Sequence, residues 1–368
     1  MRSPVLLTAA ACLAFAAAPT AHAAPPEPVG GPLLGSTGVV VSPLPGAPAL
    51  PAGLSMGSWL VADADTGDVL AAKAPHARFL PASTLKTLTA VTLLPLLDPA
   101  STTVASQADA AVDGSKVGIV PGMRYTLDTL FTAMLVVSGN DAADALAEAA
   151  GGIPHTVELM NAEARHLQAY DTVARTPSGL DGPGESTSAY DLALIARAGL
   201  AMPEFRHYVG VIRSTVPAPH HKHFEIYTHN RLLTTYRGDI GVKNGYTVRA
   251  GATYVGAATR GGHTIIVTLM HAPPNFWPQA KALLDWGFAA RGQVEAVGSL
   301  VGPAVPETHA VVHASPVVAV NSEHRSAGVG TDVPPWEIVA LAASAGILVA
   351  VLTRRLRRRR HRLSLPPL

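Results

Sequence analysis

Ser83 and Lys86 stand three residues apart in the segment Pro81-Ala82-Ser83-Thr84-Leu85-Lys86, where an apolar helical pattern begins. Positions i and i+3 share one face of a helix, so the two side chains are predicted to meet at a helix N-terminus. A serine hydroxyl needs a base to act as a nucleophile, and a lysine amine is such a base once burial or nearby cations lower its pKa. The pair indicates nucleophilic catalysis, against the alternative of a capping serine beside a solvated lysine.

Two further segments carry polar groups where a ligand can reach them. Ser138-Gly139-Asn140 follows the apolar helical pattern at 127–137 and precedes another helix that opens at Asp141. Lys243-Asn244-Gly245-Tyr246-Thr247 lies on a predicted strand, whose glycine permits close approach of a ligand to the backbone. Each segment alone is an ordinary turn or edge strand. Their occurrence in order at a helix start, an interhelical loop and a strand predicts one active site.

These three segments resemble the S-x-x-K, S-x-N and K-T-G motifs of the penicillin-recognising serine enzymes. More narrowly, they resemble those of the low-molecular-mass D-alanyl-D-alanine carboxypeptidases. The resemblance covers about residues 55–290, and it extends to the flanking text Arg78-Phe79-Leu80, Asp141-Ala142, Thr176-Pro177-Ser178-Gly179-Leu180-Asp181, His229-Asn230-Arg231-Leu232-Leu233 and Gly241-Val242.

The resemblance implies removal of the terminal D-Ala from peptidoglycan stem peptides through an ester on Ser83. Lys86 is expected to take the proton from Ser83, and Ser138 is expected to pass a proton to the departing D-Ala amine. β-Lactam antibiotics are the acylating inhibitors that the same resemblance implies. The implied substrate-binding residues are Asn140, Lys243, Asn244, Gly245, Tyr246 and Thr247, with the N–H groups of Ser83 and Tyr246 as oxyanion donors.

Two features depart from the family pattern. Asn244 stands where the family usually has a threonine that holds the substrate carboxylate, a task that Thr247 or Arg249 can share. Many relatives also carry a β-rich C-terminal domain, for which residues 293–335 are too few. The first departure affects the expected affinity for substrate and penicillin, and the second affects the domain organisation.

Other functions on the same fold remain open at this stage. A class A β-lactamase needs a deacylating glutamate in a loop past the second motif, and Val173-Ala174-Arg175-Thr176-Pro177 has none there. A D,D-endopeptidase or transpeptidase would use the same catalytic groups with another leaving group or acceptor. A wall-binding protein with a vestigial site is the non-enzyme alternative, and the intact Ser83, Lys86, Ser138 and Lys243 argue against it.

No cofactor, metal or nucleic-acid site is expected. The histidines His220, His221, His223 and His229 lie in a loop-like segment without a carboxylate at ligand spacing. Seven arginines crowd into residues 354–368, and without them and Arg2 residues 24–353 carry about −7, from 19 basic and 26 acidic residues. That balance argues against nucleic-acid binding. The single cysteine, Cys12, falls in the N-terminal apolar run, so disulfides and cysteine nucleophiles are not expected.

The order of the predicted elements indicates an α+β fold. It comprises an antiparallel five-stranded sheet flanked by helices, with an inserted helical lobe, of the β-lactamase/transpeptidase type that the resemblance implies. Strands are predicted at 58–62, 69–72, 240–244, 252–259 and 264–270. Helices are predicted at 84–97, 127–137, 142–150, 153–167, 187–200 and 279–290.

Both ends of the chain carry segments typical of secretion and membrane attachment. Residues 1–23 combine Arg2, an apolar run and the small-x-small ending Ala21-His22-Ala23, as a signal peptide does. Residues 336–353 are apolar and precede the arginine cluster. A helix of that length spans about 27 Å, close to the ~30 Å bilayer core. The positive-inside rule then predicts a single-pass protein of the cell membrane with a cytoplasmic C-terminus and an extracytoplasmic catalytic domain.

These patterns predict six segments along the chain. They are a signal peptide (1–23), a Pro/Gly-rich linker (24–52), a serine D,D-peptidase domain (53–292), a stalk (293–335), a transmembrane helix (336–353) and a basic cytoplasmic tail (354–368).

Overall fold

An antiparallel sheet forms the centre of the computed structural model, which describes residues 27–305. Its strands run in the order β11-β1-β3-β2-β10-β9-β8, with β12 also paired to β3. Separate two-stranded ribbons are formed by β4 with β5 and by β6 with β7. The strands are β1 (Val39–Pro43), β2 (Ser58–Asp63), β3 (Asp68–Lys73), β4 (Thr102–Val104), β5 (Arg124–Thr126), β6 (Arg213–Ala218), β7 (Lys222–Tyr227), β8 (Asp239–Thr247), β9 (Gly251–Arg260), β10 (His263–Ala272), β11 (Val294–Glu295) and β12 (Gly298–Ser299).

Helices occupy the chain between β3 and β8 and return after β10. All six predicted helices are present, within a few residues of their expected bounds, and the predicted α+β arrangement is confirmed. The helices are α1 (Lys86–Leu93), α2 (Gln107–Ala111), α3 (Leu127–Val136), α4 (Asn140–Ala149), α5 (Ile153–His166), α6 (Ala189–Ala201), α7 (Pro203–Val209), α8 (Leu232–Thr235) and α9 (Trp277–Ala290).

The sheet is larger than the five strands predicted. Residues 24–52 were expected to be a linker, but Val39-Val40-Val41 pairs with β3 through Val39↔Lys73 and Val41↔Ala71. Just before it, Leu34 in a 3-10 turn is completely buried. β-Branched residues favour strands, and here the surrounding Pro and Gly residues masked that signal.

The C-terminal side of the domain also extends further than predicted. The stalk was expected to begin at residue 293, but Val294 pairs with Pro43 of β1 and Gly298 pairs with Val69 of β3. Two-residue strands leave no periodic pattern in a sequence, so pairing with distant strands was needed to reveal them. The ordered body therefore reaches beyond residue 292.

Two apolar cores lie on opposite faces of the sheet. Leu60 and Ile266 face the core shared with the helices that follow β3, whereas Val61 and Ile265 face the core covered by α9. Because both faces are covered, β2 is buried along its whole length. This central sheet gives β8 and β9 a rigid support beside the helical lobe.

The histidine-bearing segment is a hairpin rather than the loop that the sequence indicated. β6 and β7 pair from Arg213↔Tyr227 to Ala218↔Lys222, and His220 and His221 form the turn. Pro217 and Pro219 obscured the alternating pattern, but Pro217 is tolerated because the β6–β7 ribbon pairs with no third strand in the part of the chain that the structure describes.

Within residues 27–305, no helix combines the length and apolar character needed to cross a bilayer. The predicted signal peptide (1–23) and transmembrane helix (336–353) lie outside the described residues.

Candidate active site

Ser83 lies in a 3-10 turn, Ala82–Leu85, that leads directly into α1. The Pro81 carbonyl just before the turn accepts two hydrogen bonds, from Thr84 Oγ1 at 2.6 Å and from Thr253 Oγ1 of β9 at 2.7 Å. These bonds fix the turn to β9. Ala82 has a left-handed φ of 47°, an uncommon conformation for a residue with a side chain. The nucleophile is thereby fixed between the sheet and the helical lobe.

Lys86 confirms the predicted pairing, because its Nζ lies 3.1 Å from Ser83 Oγ. The same nitrogen donates to Asn140 Oδ1 at 2.6 Å and to the Ser178 carbonyl at 2.8 Å. A neutral lysine amine has two N–H bonds and one lone pair. With both N–H groups directed to Asn140 and Ser178, the lone pair faces the Ser83 hydroxyl, as a general base requires.

The environment of Lys86 favours that neutral form. Its side chain is fully buried. Burial and then the charge of Lys243 lower the pKa of Lys86 well below its ordinary value, against the opposing effect of Asp144. Neither Lys86 nor Lys243 forms an ion pair within residues 27–305. A lysine whose pKa is lowered in this way can serve as a general base.

Asn140, at the start of α4, orients Lys86 and is itself held by the preceding loop. Its Nδ2 donates to the Asp113 carbonyl at 2.6 Å, and its backbone N–H donates to the Ser115 carbonyl at 2.7 Å. The neighbouring Asp141 carboxylate accepts four backbone N–H bonds, from Val117, Gly118, Ile119 and Ala142. One N–H of the Asn140 amide remains for a substrate carbonyl.

Ser138 sits in the turn between α3 and α4 with a left-handed φ of 61°. It is buried, and its Oγ has no hydrogen-bond partner among the residues described. An unpartnered buried hydroxyl costs about 1–3 kcal/mol. Strain and lost hydrogen bonding at one residue suit a group that acts on a bound substrate.

Lys243 lies on β8, at the edge of the sheet, and is also buried. Its Nζ donates to the Asn244 carbonyl at 2.7 Å. Burial lowers the pKa of Lys243 to about 7. A buried lysine without a carboxylate partner in the described chain is suited to bind an anionic group of a ligand.

Gly245 brings β8 against the nucleophile. A Cβ added at this position would lie 2.6 Å from the Ser83 backbone nitrogen and 2.7 Å from Thr253 Oγ1. A glycine is therefore required for β8 to approach the Ser83 N–H group this closely.

The remaining predicted residues surround this contact in different ways. Thr247 Oγ1 donates to Asp181 Oδ1 at 2.9 Å, which ties the end of β8 to the loop before α6. Tyr246 is 56% exposed. Asn244 is half-buried, and its side chain has no hydrogen bond within residues 27–305.

The loop from Thr176 to Asp181 supplies groups that were not predicted as site residues. The Ser178 carbonyl holds Lys86, and Gly179 packs so tightly that an added Cβ would lie 1.9 Å from the Ala82 carbonyl oxygen. The segment Thr176-Pro177-Ser178-Gly179-Leu180-Asp181, which shares the family resemblance, was the one sequence feature that pointed to this loop. A backbone carbonyl has no sequence signature, so its role appears only in three dimensions.

Glu185 is a buried carboxylate that follows this loop in sequence and holds its first residues. Its Oε1 accepts hydrogen bonds from the N–H groups of Arg175 and Thr176, each at 3.1 Å, and from Thr176 Oγ1 at 3.2 Å. These bonds fix Oε1 to the backbone of the loop, whereas the buried Oε2 has no hydrogen-bond partner among residues 27–305.

Two other features lie apart from this site. A cavity of about 1110 Å³ between α1, α5 and α6 contains none of the predicted site residues. His76, Asp171 and Asp191 cluster closely enough to suggest metal ligands. However, His76 Nδ1 lies 2.8 Å from Asp171 and Nε2 lies 3.0 Å from the Val29 carbonyl. Against the opposing effect of burial, the hydrogen bond to Asp171 raises the pKa of His76, and the ring links Asp171 to the Val29 carbonyl as part of the structure.

Comparisons with known proteins agree with this geometry. The family model described as D-alanyl-D-alanine carboxypeptidase, peptidase S11, matches residues 47–274. D-alanyl-D-alanine carboxypeptidase DacB2 of Mycobacterium tuberculosis is 43% identical over 265 residues, which cover 70% of this chain and 88% of that protein. DacF of Bacillus subtilis is 30% identical over 240 residues, which cover 63% of this chain and 62% of the relative.

Solved structures show the same fold. A D-alanyl-D-alanine carboxypeptidase from M. tuberculosis H37Rv superimposes with a TM-score of 0.67 at 42% identity, covering 71% of this chain and 100% of that one. A variant of the Streptomyces K15 DD-transpeptidase gives a TM-score of 0.62 at 26% identity, covering 66% and 99%. The fold is thus α+β and transpeptidase-like.

Proposed function

Because the chain belongs to the peptidase S11 family of D-alanyl-D-alanine carboxypeptidases, we infer that it releases the terminal D-Ala of peptidoglycan stem peptides through a Ser83 ester. It is a serine-type carboxypeptidase. The observation that supports this assignment of residues is Lys86 Nζ, buried and 3.1 Å from Ser83 Oγ, with no carboxylate partner in residues 27–305.

Acylation begins with proton transfer from Ser83 Oγ to the neutral Lys86 amine. The oxygen attacks the carbonyl carbon of the penultimate D-Ala, and the resulting oxyanion accepts hydrogen bonds from the N–H groups of Ser83 and Tyr246. Gly245 supports this arrangement because β8 packs directly on the Ser83 nitrogen.

Collapse of the tetrahedral intermediate breaks the peptide C–N bond. Ser138 passes a proton from the Lys86 ammonium to the leaving nitrogen, and D-Ala departs as an amine. Water then attacks the ester with Lys86 again as base, which releases the shortened peptide and restores the Ser83 hydroxyl.

Lys243 selects substrates that end in a carboxylate. Its ammonium binds the terminal carboxylate. Asn244 and Thr247 lie on the same strand, β8, and complete the binding site for the substrate. Penicillins carry a carboxylate beside a reactive carbonyl, so they enter the same site and acylate Ser83.

Acylation by a labelled penicillin tests the assignment. Ser83→Ala should abolish labelling and peptide turnover, whereas Ser138→Ala should retain binding and turn over about 10²–10⁴-fold more slowly. Ser115→Ala, at an exposed serine in a neighbouring loop, is the matched control and should behave as wild type. Normal turnover of a D-Ala-D-Ala peptide by Ser83→Ala would refute the mechanism.

We also propose that the enzyme acts outside the cell on a membrane tether. The apolar segment 336–353, the arginines of 354–368 and the signal-like residues 1–23 support this arrangement. The substrate is a polymer of the cell wall, which is consistent with an extracytoplasmic catalytic domain.

A further inference from the structure

The free edge of β8 provides a track for a peptide substrate. Among residues 27–305, β8 ends the strand order and pairs on one side only, with β9, through Lys243↔Val255, Gly245↔Thr253 and Thr247↔Gly251. An exposed strand edge presents unpaired N–H and C=O groups, and extended peptides bind such edges as an added strand.

The catalytic groups fix the register of a peptide on this edge. The scissile carbonyl lies where Gly245 packs on the Ser83 nitrogen, and the terminal carboxylate, one residue further, lies within reach of the long Lys243 side chain. Strands and extended peptides both rise by about 3.3 Å per residue. The residue that precedes the D-Ala-D-Ala pair begins about 3.3 Å further along, so it lies beside Tyr246 and Thr247 at the end of β8.

The Asp181 carboxylate lies beside Thr247 at this end of β8. Thr247 Oγ1 accepts the Ala250 N–H at 2.9 Å and donates its own proton to Asp181 Oδ1 at 2.9 Å. Asp181 is half-buried, its other oxygen has no hydrogen bond in residues 27–305, and no salt bridge involves it there. The hydroxyl of Thr247 thus orients the carboxylate and leaves one oxygen for a ligand.

We propose that Asp181 binds the side-chain ammonium group of the residue preceding D-Ala-D-Ala, so that the enzyme prefers stem peptides with a free amine at that position. This inference rests on the proposed function. The Lys243 ammonium lies at one end of the track and repels such an amine, whereas Asp181 attracts it at the other end. Opposite charges at the two ends then set the direction in which the peptide binds.

A purely structural role for Asp181 makes a different prediction. If the carboxylate only ties its loop to β8, its removal disturbs Ser178 and Lys86 and slows all substrates equally. Selectivity between two peptides that differ by one charge separates these cases, because a common loss cancels in the ratio.

The test compares acylated X-D-Ala-D-Ala peptides in which X is lysine or norleucine, with the intact protein. Wild type should show a kcat/KM about two- to fivefold higher for lysine, the range expected for a partly exposed ion pair. In Asp181→Asn, which keeps an acceptor for Thr247, the ratio should fall to about one. Added salt should lower the wild-type ratio.

Two results would overturn the inference: a wild-type ratio near one, or an unchanged ratio in Asp181→Asn, as an equal loss for both peptides would give. If Asp181→Asn fails to fold, the salt dependence of the wild-type ratio tests the ion pair instead. A ratio that does not fall with added salt refutes it. Lack of turnover of both peptides by wild type would instead refute the proposed carboxypeptidase function.

Discussion

At the scale of single residues, two buried lysines define the chemistry of the site. Lys86 contacts Ser83, the proposed nucleophile, and Lys243 lies on β8, the strand that we propose binds the substrate carboxylate. Catalysis needs them in opposite states, because the base must be neutral and the carboxylate ligand must be charged. Burial lowers both pKa values, and the charge of Lys243 lowers that of Lys86 further.

The pH profile should report both groups. kcat/KM should rise with pH as Lys86 loses its proton, and it should fall through about pH 7 as Lys243 of the free enzyme loses its own. In kcat, measured with substrate bound, the alkaline limb should lie at higher pH, because the carboxylate stabilises the Lys243 ammonium. Lys243→Arg keeps the charge at all these pH values, so any remaining activity should lack the alkaline limb. The same alkaline limb in that variant would assign it to another group.

Asn244 offers a second prediction at this scale. Its amide is bulkier than a threonine hydroxyl and presents its donor one atom further out. A hydrogen bond to a charged group contributes roughly 1.5–3 kcal/mol, so a misplaced one lowers kcat/KM by about tenfold to a hundredfold. Asn244→Thr should therefore maintain or improve peptide turnover and speed penicillin acylation, whereas Lys243→Ala should damage both. Collapse of both rates in a folded Asn244→Thr would show that this carboxylate site depends on asparagine.

At the scale of elements, three segments that are distant in sequence meet at the start of α1. The turn at Ala82–Leu85 contacts β8 through Gly245 and the loop before α6 through Gly179. In both contacts a glycine lies directly against the backbone of the turn. A small movement of β8 or of the loop therefore changes the position of Ser83.

Gly179→Ala tests that coupling. Gly179 has a left-handed φ of 79°, and an added Cβ would lie 1.9 Å from the Ala82 carbonyl. The loop should move, the Ser178 carbonyl should leave Lys86, and penicillin acylation should slow by at least about tenfold, the effect of about 1.4 kcal/mol in the barrier. Thermal unfolding measured alongside will show the loss of stability.

Gly184→Ala is the matched control for this variant. Gly184 lies five residues further along the chain with a similar φ of 75°. A Cβ added there would lie no closer than 3.5 Å to any neighbour, the nearest being the Arg175 guanidinium. Both variants carry the strain of a left-handed alanine, of order 1–3 kcal/mol. Only Gly179→Ala should lose acylation sharply, and equal losses in both variants would assign the effect to strain alone.

At the scale of the whole molecule, the catalytic domain is fastened by segments from both ends of its sequence. β1 pairs with β3 and β11, and β12 pairs with β3, so residues near 40 and near 297 close the same side of the sheet. The described chain then continues to residue 305, and the proposed anchor follows at 336–353.

Truncation after Asp332 tests the proposed anchor. The shortened protein retains the domain and should be soluble and active towards D-Ala-D-Ala peptides, whereas the intact chain should sediment with membranes. High salt should not release the intact chain, because an apolar helix does not depend on surface charge. Sedimentation of the truncated form at high salt would place the anchor elsewhere.

The sequence by itself determined the catalytic pair, the three motifs in order, the five central strands and the six predicted helices. Those features are local, since helical spacing brings Ser83 to Lys86 and alternation or apolar runs define strands. Only the tertiary structure decided which groups surround Lys86, because Asn140 and Ser178 lie 54 and 92 residues away in sequence. It also revealed β1, β11 and β12, whose short segments are stable only when paired with β3 or with each other. Burial, which sets the pKa of both lysines, arises from the packing of all these elements and has no local signature.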